Sequence, residues 1–128
     1  MRVVITGGAG FIGKLLAAKL LECGTLTDAT GQVREISELA LVDIAAAENE
    51  PWLSDKRVTQ VVGDVCDRNV LASAVTPNTA SIFHLAAVVS GQAEADFDIG
   101  MRVNVDSTRT LLELTRLLPA PQIGRAHV

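Results

Sequence analysis

The 128-residue chain predicts an α/β fold, a doubly wound parallel sheet, on three observations. Its opening residues, Arg2–Thr6, carry the continuous apolar run Val3-Val-Ile5, as expected for a parallel strand buried on both faces. That run leads straight into Thr6-Gly-Gly-Ala-Gly-Phe-Ile-Gly13, a glycine turn that opens a helix. Beyond it, short apolar strands alternate with helical stretches, the signature of strand–helix–strand crossovers. Strand, glycine turn and helix in this order form a cradle for a dinucleotide pyrophosphate. The fold is therefore expected to be of Rossmann type, with four strands and a long helix after the fourth.

Each glycine of the turn has a mechanical task. Gly7 allows the tight strand-to-helix turn, Gly10 lets backbone approach the pyrophosphate, and Gly13 permits close packing of the helix. The helix is predicted over Phe11–Cys23, with Ile12, Leu15, Leu16, Ala18 and Leu20 against the sheet and Gly24 ending it. Its free N–H groups and dipole favour a diphosphate. Residues 24–37 read as a polar surface excursion, and a second strand follows at 39–42. Asp43 closes that strand, further from the glycines than the usual ~20 residues. Its carboxylate suits the adenosine ribose hydroxyls and repels a 2′-phosphate. Ile44, Ala45, Ala46 and Ala47 supply no cation to hold one, so NAD is favoured over NADP.

Residues 45–56 read as a loop, with Pro51 and Trp52 packing on the sheet edge, before a third strand at Val58–Val62. Asp67 is a suitable N-cap for a short helix ending at Ala74. Pro77-Asn78 turns the chain into a fourth strand at 81–85. A loop at 88–95 precedes a long helix over 98–118, on which Met101, Val105, Thr108 and Leu112 recur along one face. Pro119 and Pro121 end it.

Composition narrows the class. An apolar fraction of 48% supports a core, and 3% aromatic content makes that core aliphatic. The net charge of −4 with no basic cluster argues against a nucleic-acid partner. The longest apolar stretch, residues 82–89, is too short for a membrane span and is interrupted by His84. Cys23 and Cys66 have no metal-ligand spacing and read as buried, reduced thiols of a cytoplasmic protein, so no metal is expected. His84, on a buried strand without ligating neighbours, reads as a hydrogen-bonded core histidine.

The glycine turn, Gly63-Asp64-Val65, His84-Leu-Ala-Ala87 and Asn104-Val-Asp-Ser-Thr108 together resemble the extended short-chain dehydrogenase/reductase family, the NAD-dependent epimerase/dehydratase group. The resemblance covers residues 1–122, implying one NAD-binding domain that is truncated after the fourth strand and the long helix. It implies that the backbone at Phe11 and Ile12 holds the pyrophosphate and Asp43 the ribose. It also implies that Asp64 and Val65 flank the adenine, and that Leu85, Ala86 and Ala87 line the nicotinamide side. Within the family, residues 88–104 look most like an enzyme that oxidises the hydroxyl beside a sugar-acid carboxylate. Ser90, Gly91 and Gln92 are then candidates for substrate contact; a hydrogen-bonded turn is the other reading. Asn104 has a family role in supporting the catalytic proton relay, with a purely structural role the alternative. The resemblance further implies a homodimer built on the long helix.

Family chemistry also needs a tyrosine with a lysine four residues later, and this chain contains no tyrosine. It is expected to be inactive alone. The last six residues, Ile123-Gly-Arg-Ala-His-Val128, match one reading frame of a widely used sequencing-library adapter and are expected to be a non-native tail. A truncated fragment should leave the fourth strand as an exposed, aggregation-prone edge. Two other functions stay open. One is a nucleotide-sugar epimerase or dehydratase of the same family; the other is a non-catalytic NAD-sensing module.

Overall fold

The computed structural model describes residues 1–118, so Pro119, Pro121 and the tail at 123–128 lie outside the described residues. Four parallel strands form the main sheet: β1 (Arg2–Thr6), β4 (Glu38–Asp43), β5 (Val58–Val62) and β6 (Thr79–His84), in the order β5-β4-β1-β6. The chain thus builds outward from β1 in one direction, then crosses back to its other side. The reversal lies between β1 and β6, where open α/β sheets leave a crevice at the carboxyl ends of the strands.

Alternation along each strand separates two cores. Val3, Ile5, Leu39 and Leu41 face α1 (Phe11–Cys23) and pack with Ala17, Leu20 and Leu21. Val4, Ala40, Val42 and Ile82 face the other way, onto Leu71 and Ala74 of α2 (Arg68–Ala74) and Leu111. Every residue of β1 is buried, as its apolar run requires. Gly24 ends α1 in the left-handed conformation, its N–H on the Leu20 carbonyl, and Asp67 caps α2 by accepting the Asn69 N–H. Trp52 and Leu53, on a short 3-10 turn at Pro51–Ser54, pack against the first core.

Several expectations are corrected. The excursion at 24–37 holds an antiparallel hairpin, β2 (Thr25–Thr27) and β3 (Val33–Glu35). Helix α1 buries Gly13, Ala17, Leu20 and Leu21, while Ile12 and Leu15 are exposed; the small residues allow closer approach to the sheet. The expected loop at 88–95 contains a short helix, α3 (Ser90–Ala95). The long helix begins as α4 (Phe97–Met101), passes through one π-helical turn at Arg102–Asp106, and continues as α5 (Ser107–Arg116). Its buried positions are Gly100, Ser107, Leu111 and Thr115, whereas Met101, Val105 and Leu112 stay exposed. Cys23 is exposed and Cys66 half-buried, not the buried pair expected. Among the described residues, no helix is long and apolar enough to cross a membrane.

Candidate functional site

Strand β1 ends at a turn whose glycines are required by contact. Gly7 sits at φ +72°, and a Cβ there would lie 2.9 Å from the Ala86 nitrogen. At Gly13 a Cβ would run into the Gly7 carbonyl and lie 2.8 Å from the Gly8 Cα, so the first turn of α1 rests directly on the glycine loop. Gly8, not singled out by the sequence, is as constrained: a Cβ would meet that of Leu41 at 2.7 Å. The loop is held to β4 by Gly7 N–H and Gly8 N–H, both donating to the Val42 carbonyl. Helix α1 then starts with Gly10 as N-cap, no side-chain cap and no acidic residue in its first turn. No residue of the helix itself offsets its N-terminal dipole; the Asp43 carboxylate, on the Ala9 N–H just before the N-cap, lies beside it.

This bare helix end opens on a cleft of about 450 Å³. Taken in sheet order, its floor comes from the carboxyl ends of all four strands. Asp64, Val65 and Cys66 follow β5; Val42, Asp43 and Ile44 end β4; Gly7 and Gly10 follow β1; Leu85, Ala86 and Ala87 follow β6. Ile99, Arg102 and Val103 close it from the long helix. Four strands at about 4.8 Å spacing make the floor about 14 Å long. The sequence pointed to Gly7, Gly10, Asp43, Asp64, Val65 and the 85–87 run, and the structure brings them together here. Gly13 lies beneath the loop, while Phe11 and Ile12 are exposed at the helix start, where their backbone rather than their side chains faces the question of ligand binding.

Asp43 does more than end a strand. Its Oδ2 accepts the Ala9 N–H at 2.9 Å and its Oδ1 the Ile44 N–H at 2.7 Å, so the carboxylate anchors the glycine loop as well as facing the cleft. Asp64 Oδ1 accepts the Cys66 N–H at 2.8 Å, turning the chain after β5. Burial pushes the Cys66 thiol above its ordinary pKa, and a hydrogen bond with Asp64 adds to this, so it stays protonated at neutral pH. Arg102, Ile99 and Val103 escaped sequence reasoning because only the tertiary fold lays the helix along the cleft.

His84 is hydrogen-bonded at both ring nitrogens, as expected, but half-buried rather than in the core. Its Nδ1 lies 2.6 Å from Thr6 Oγ1, and its Nε2 lies 3.1 Å from Thr108 Oγ1 and 3.4 Å from Ser107 Oγ. The hydroxyls of Ser107 and Thr108 donate to the carbonyls of Val103 and Asn104. They can therefore only accept from His84, which places the ring proton on Nε2. Nδ1 then accepts from Thr6, whose oxygen also takes the Ala86 N–H at 3.2 Å. The π turn sits beside these hydroxyls: Ser107 N–H reaches back to the Arg102 carbonyl, while the Ser107 side chain bonds the Val103 carbonyl.

Asn104, inside the π turn, clamps the loop after β6. Its Oδ1 accepts the Val88 N–H at 2.9 Å and its Nδ2 donates to the Val88 carbonyl at 3.1 Å. Ser90, Gly91 and Gln92 lie on exposed α3, outside the cleft lining. A Cβ on Gly91 would meet nothing within 4 Å. Among the described residues, no group of three or more His, Cys, Asp or Glu is arranged to hold a metal.

D-erythronate dehydrogenase of Cupriavidus necator is 54% identical over 118 residues, 92% of this chain and 35% of that protein. D-erythronate dehydrogenase of Haemophilus influenzae is 38% identical over 119 residues, 91% of this chain and 34% of that protein. The structure of dTDP-glucose 4,6-dehydratase from Streptomyces venezuelae with NAD and TYD bound superposes with a TM-score of 0.77 at 29% identity, over 96% of this chain and 38% of that one. The chain spans about a third of the length of the curated relatives it matches. The 3-beta hydroxysteroid dehydrogenase/isomerase family model matches residues 4–118, from within β1 to the end of the described chain, and the chain belongs to that family.

Proposed function

We propose that residues 1–122 form the NAD-binding part of an NAD-dependent oxidoreductase that acts on a sugar acid such as D-erythronate. One observation carries the reading: a single cleft crosses the carboxyl ends of all four strands and passes the uncapped start of α1 at its middle. A dinucleotide fits that layout, with a polar bridge at the centre and a ring system towards each end. The diphosphate would take the backbone N–H groups at Phe11 and Ile12, where Gly10 removes the obstructing Cβ. Asp43 would accept from the adenosine ribose, Asp64 and Val65 would flank the adenine, and Leu85, Ala86 and Ala87 would shield the nicotinamide from water. When bound, NAD supplies a hydride acceptor. Asn104 and Thr6 hold the 85–88 loop in place beside it. The sugar-acid substrate is supported by the 54% identity to D-erythronate dehydrogenase. Ser90, Gly91 and Gln92 are proposed as its contacts.

With no tyrosine in the sequence, the chain lacks the general base of family chemistry and is proposed to be inactive alone. The exposed stripe of Met101, Val105 and Leu112 suits pairing with the same helix of a second copy, giving a homodimer. A nucleotide-sugar epimerase or dehydratase is the second reading, favoured by the likeness to the dTDP-glucose dehydratase. D-erythronate added to the NAD-loaded chain should produce no NADH absorbance. Calorimetry should show NAD binding that is stronger than NADP binding and that falls about tenfold in Asp43→Ala. Equal affinity of wild type and variant would remove the ribose assignment.

A further inference from the structure

We propose that Arg102 is a recognition residue for the adenine end of the dinucleotide, its planar guanidinium forming the wall on which the base lies. The inference rests on the cofactor reading above. Among the described residues that line the cleft, Asp43 and Asp64 carry negative charge and Arg102 alone carries positive charge. Its Nη2 lies 3.9 Å from Asp64 Oδ2, beyond hydrogen-bonding distance, and its side chain is 61% exposed. The guanidinium is therefore steered towards the β5 end without being locked there. That end is the far side of the sheet from Leu85, Ala86 and Ala87, so Arg102 stands at one terminus of the cleft and away from the reacting one.

The helix holding Arg102 is fixed in place. Two residues on, Asn104 makes two hydrogen bonds to the Val88 backbone, and Ser107 and Thr108 engage His84. The backbone under Arg102 is thus anchored while its side chain spans open cleft. A dinucleotide brings two phosphate charges into a site already holding two carboxylates, which a cation offsets. Arginine suits the place better than lysine, because its flat, weakly hydrated group stacks on an aromatic ring face.

The test is calorimetry on the full chain with NAD, ADP-ribose and nicotinamide mononucleotide, for wild type, Arg102→Leu and Arg102→Lys. Loss of a cation–ring contact should weaken NAD and ADP-ribose roughly three- to tenfold in Arg102→Leu and leave nicotinamide mononucleotide unchanged. Arg102→Lys should remain weaker than wild type. Unchanged or increased NAD affinity in Arg102→Leu overturns the proposal, as does an equal loss with nicotinamide mononucleotide or full recovery by lysine. If Arg102→Leu loses its thermal transition, Arg102→Gln carries the same comparison. A wild-type chain that binds neither NAD nor ADP-ribose would sink the cofactor reading itself, and this assignment with it.

Discussion

Asp43 illustrates how one side chain can be both a binding group and a structural tie. Because its two oxygens already hold Ala9 and Ile44, Asp43→Ala should lower stability by roughly 1–3 kcal/mol in addition to weakening NAD. Thermal unfolding read beside calorimetry separates the two effects. The glycines give a sharper contrast. Gly13→Ala forces a methyl group against backbone that cannot yield, and should cost about 1–3 kcal/mol and displace the start of α1. Gly91→Ala meets nothing, and within helix α3 should be neutral or stabilising by up to about 1 kcal/mol. Paired thermal melts of the two variants check this; equal midpoints would mean that the glycine loop is not under the close contact described. Gly7, Gly10 and Gly13 were legible as a spacing before any coordinates. Gly8 was not, because the Leu41 Cβ that constrains it comes from a different strand.

At the scale of elements, two amide side chains fix loops that leave the sheet. Asn104 pairs with both backbone groups of Val88, and Gln60 does the same for Ala47, accepting its N–H at 2.6 Å and donating to its carbonyl at 3.2 Å. Each acts as a one-residue strand that pins a loop following the sheet. Gln60→Leu and Asn104→Leu should each cost about 1 kcal/mol and speed hydrogen exchange, at Ala47 in the first and at Val88 in the second. Unaltered exchange at those amides would show that the loops are held by other means. Such long-range pairings leave no local signal, which is why Gln60 went unnoticed in the sequence. Element boundaries were more legible: β1, α1 and β5 stand where apolar runs and caps placed them. The phase of α1 was not, since apolar residues surround it and only packing selects Ala17 over Leu15. The β2–β3 hairpin was hidden for a different reason. Its three-residue strands are half-exposed and carry no apolar alternation to read.

For the molecule as a whole, the parallel, doubly wound sheet was legible from the alternation of strands and helices, whereas its strand order and the packing of the long helix were not. Of the residues expected along one face, Met101, Val105 and Leu112 are exposed and Thr108 half-buried, because the buried side is made of Gly100, Ser107, Leu111 and Thr115, three of them small or hydroxyl residues that a hydrophobic pattern overlooks. Acid stability has two identifiable contributors, Asp28, whose carboxyl pKa is lowered by a hydrogen bond from Thr30, and Asp55. A hydrogen bond from Arg57 holds the Asp55 carboxyl at about 2, below its usual 3.8. A depressed carboxyl contributes stability above its unfolded value and loses it on protonation, so the loss should develop as pH falls from about 4 through about 2. Urea unfolding of Asp55→Asn across that range should show a flatter pH dependence than wild type. At the sheet's other side, β6 is an edge among the described residues, and concentration-dependent association is expected in light scattering. The π turn has a wider consequence. It amounts to one residue more than a regular α-helix would use over the same rise. Deleting one residue from 102–106 would close the ladder and rotate everything upstream by about 100°. Ile99 and its neighbours on α4 would swing off the cleft while α5 kept its seat, so length in this helix, more than composition, decides whether the cleft has a fourth wall.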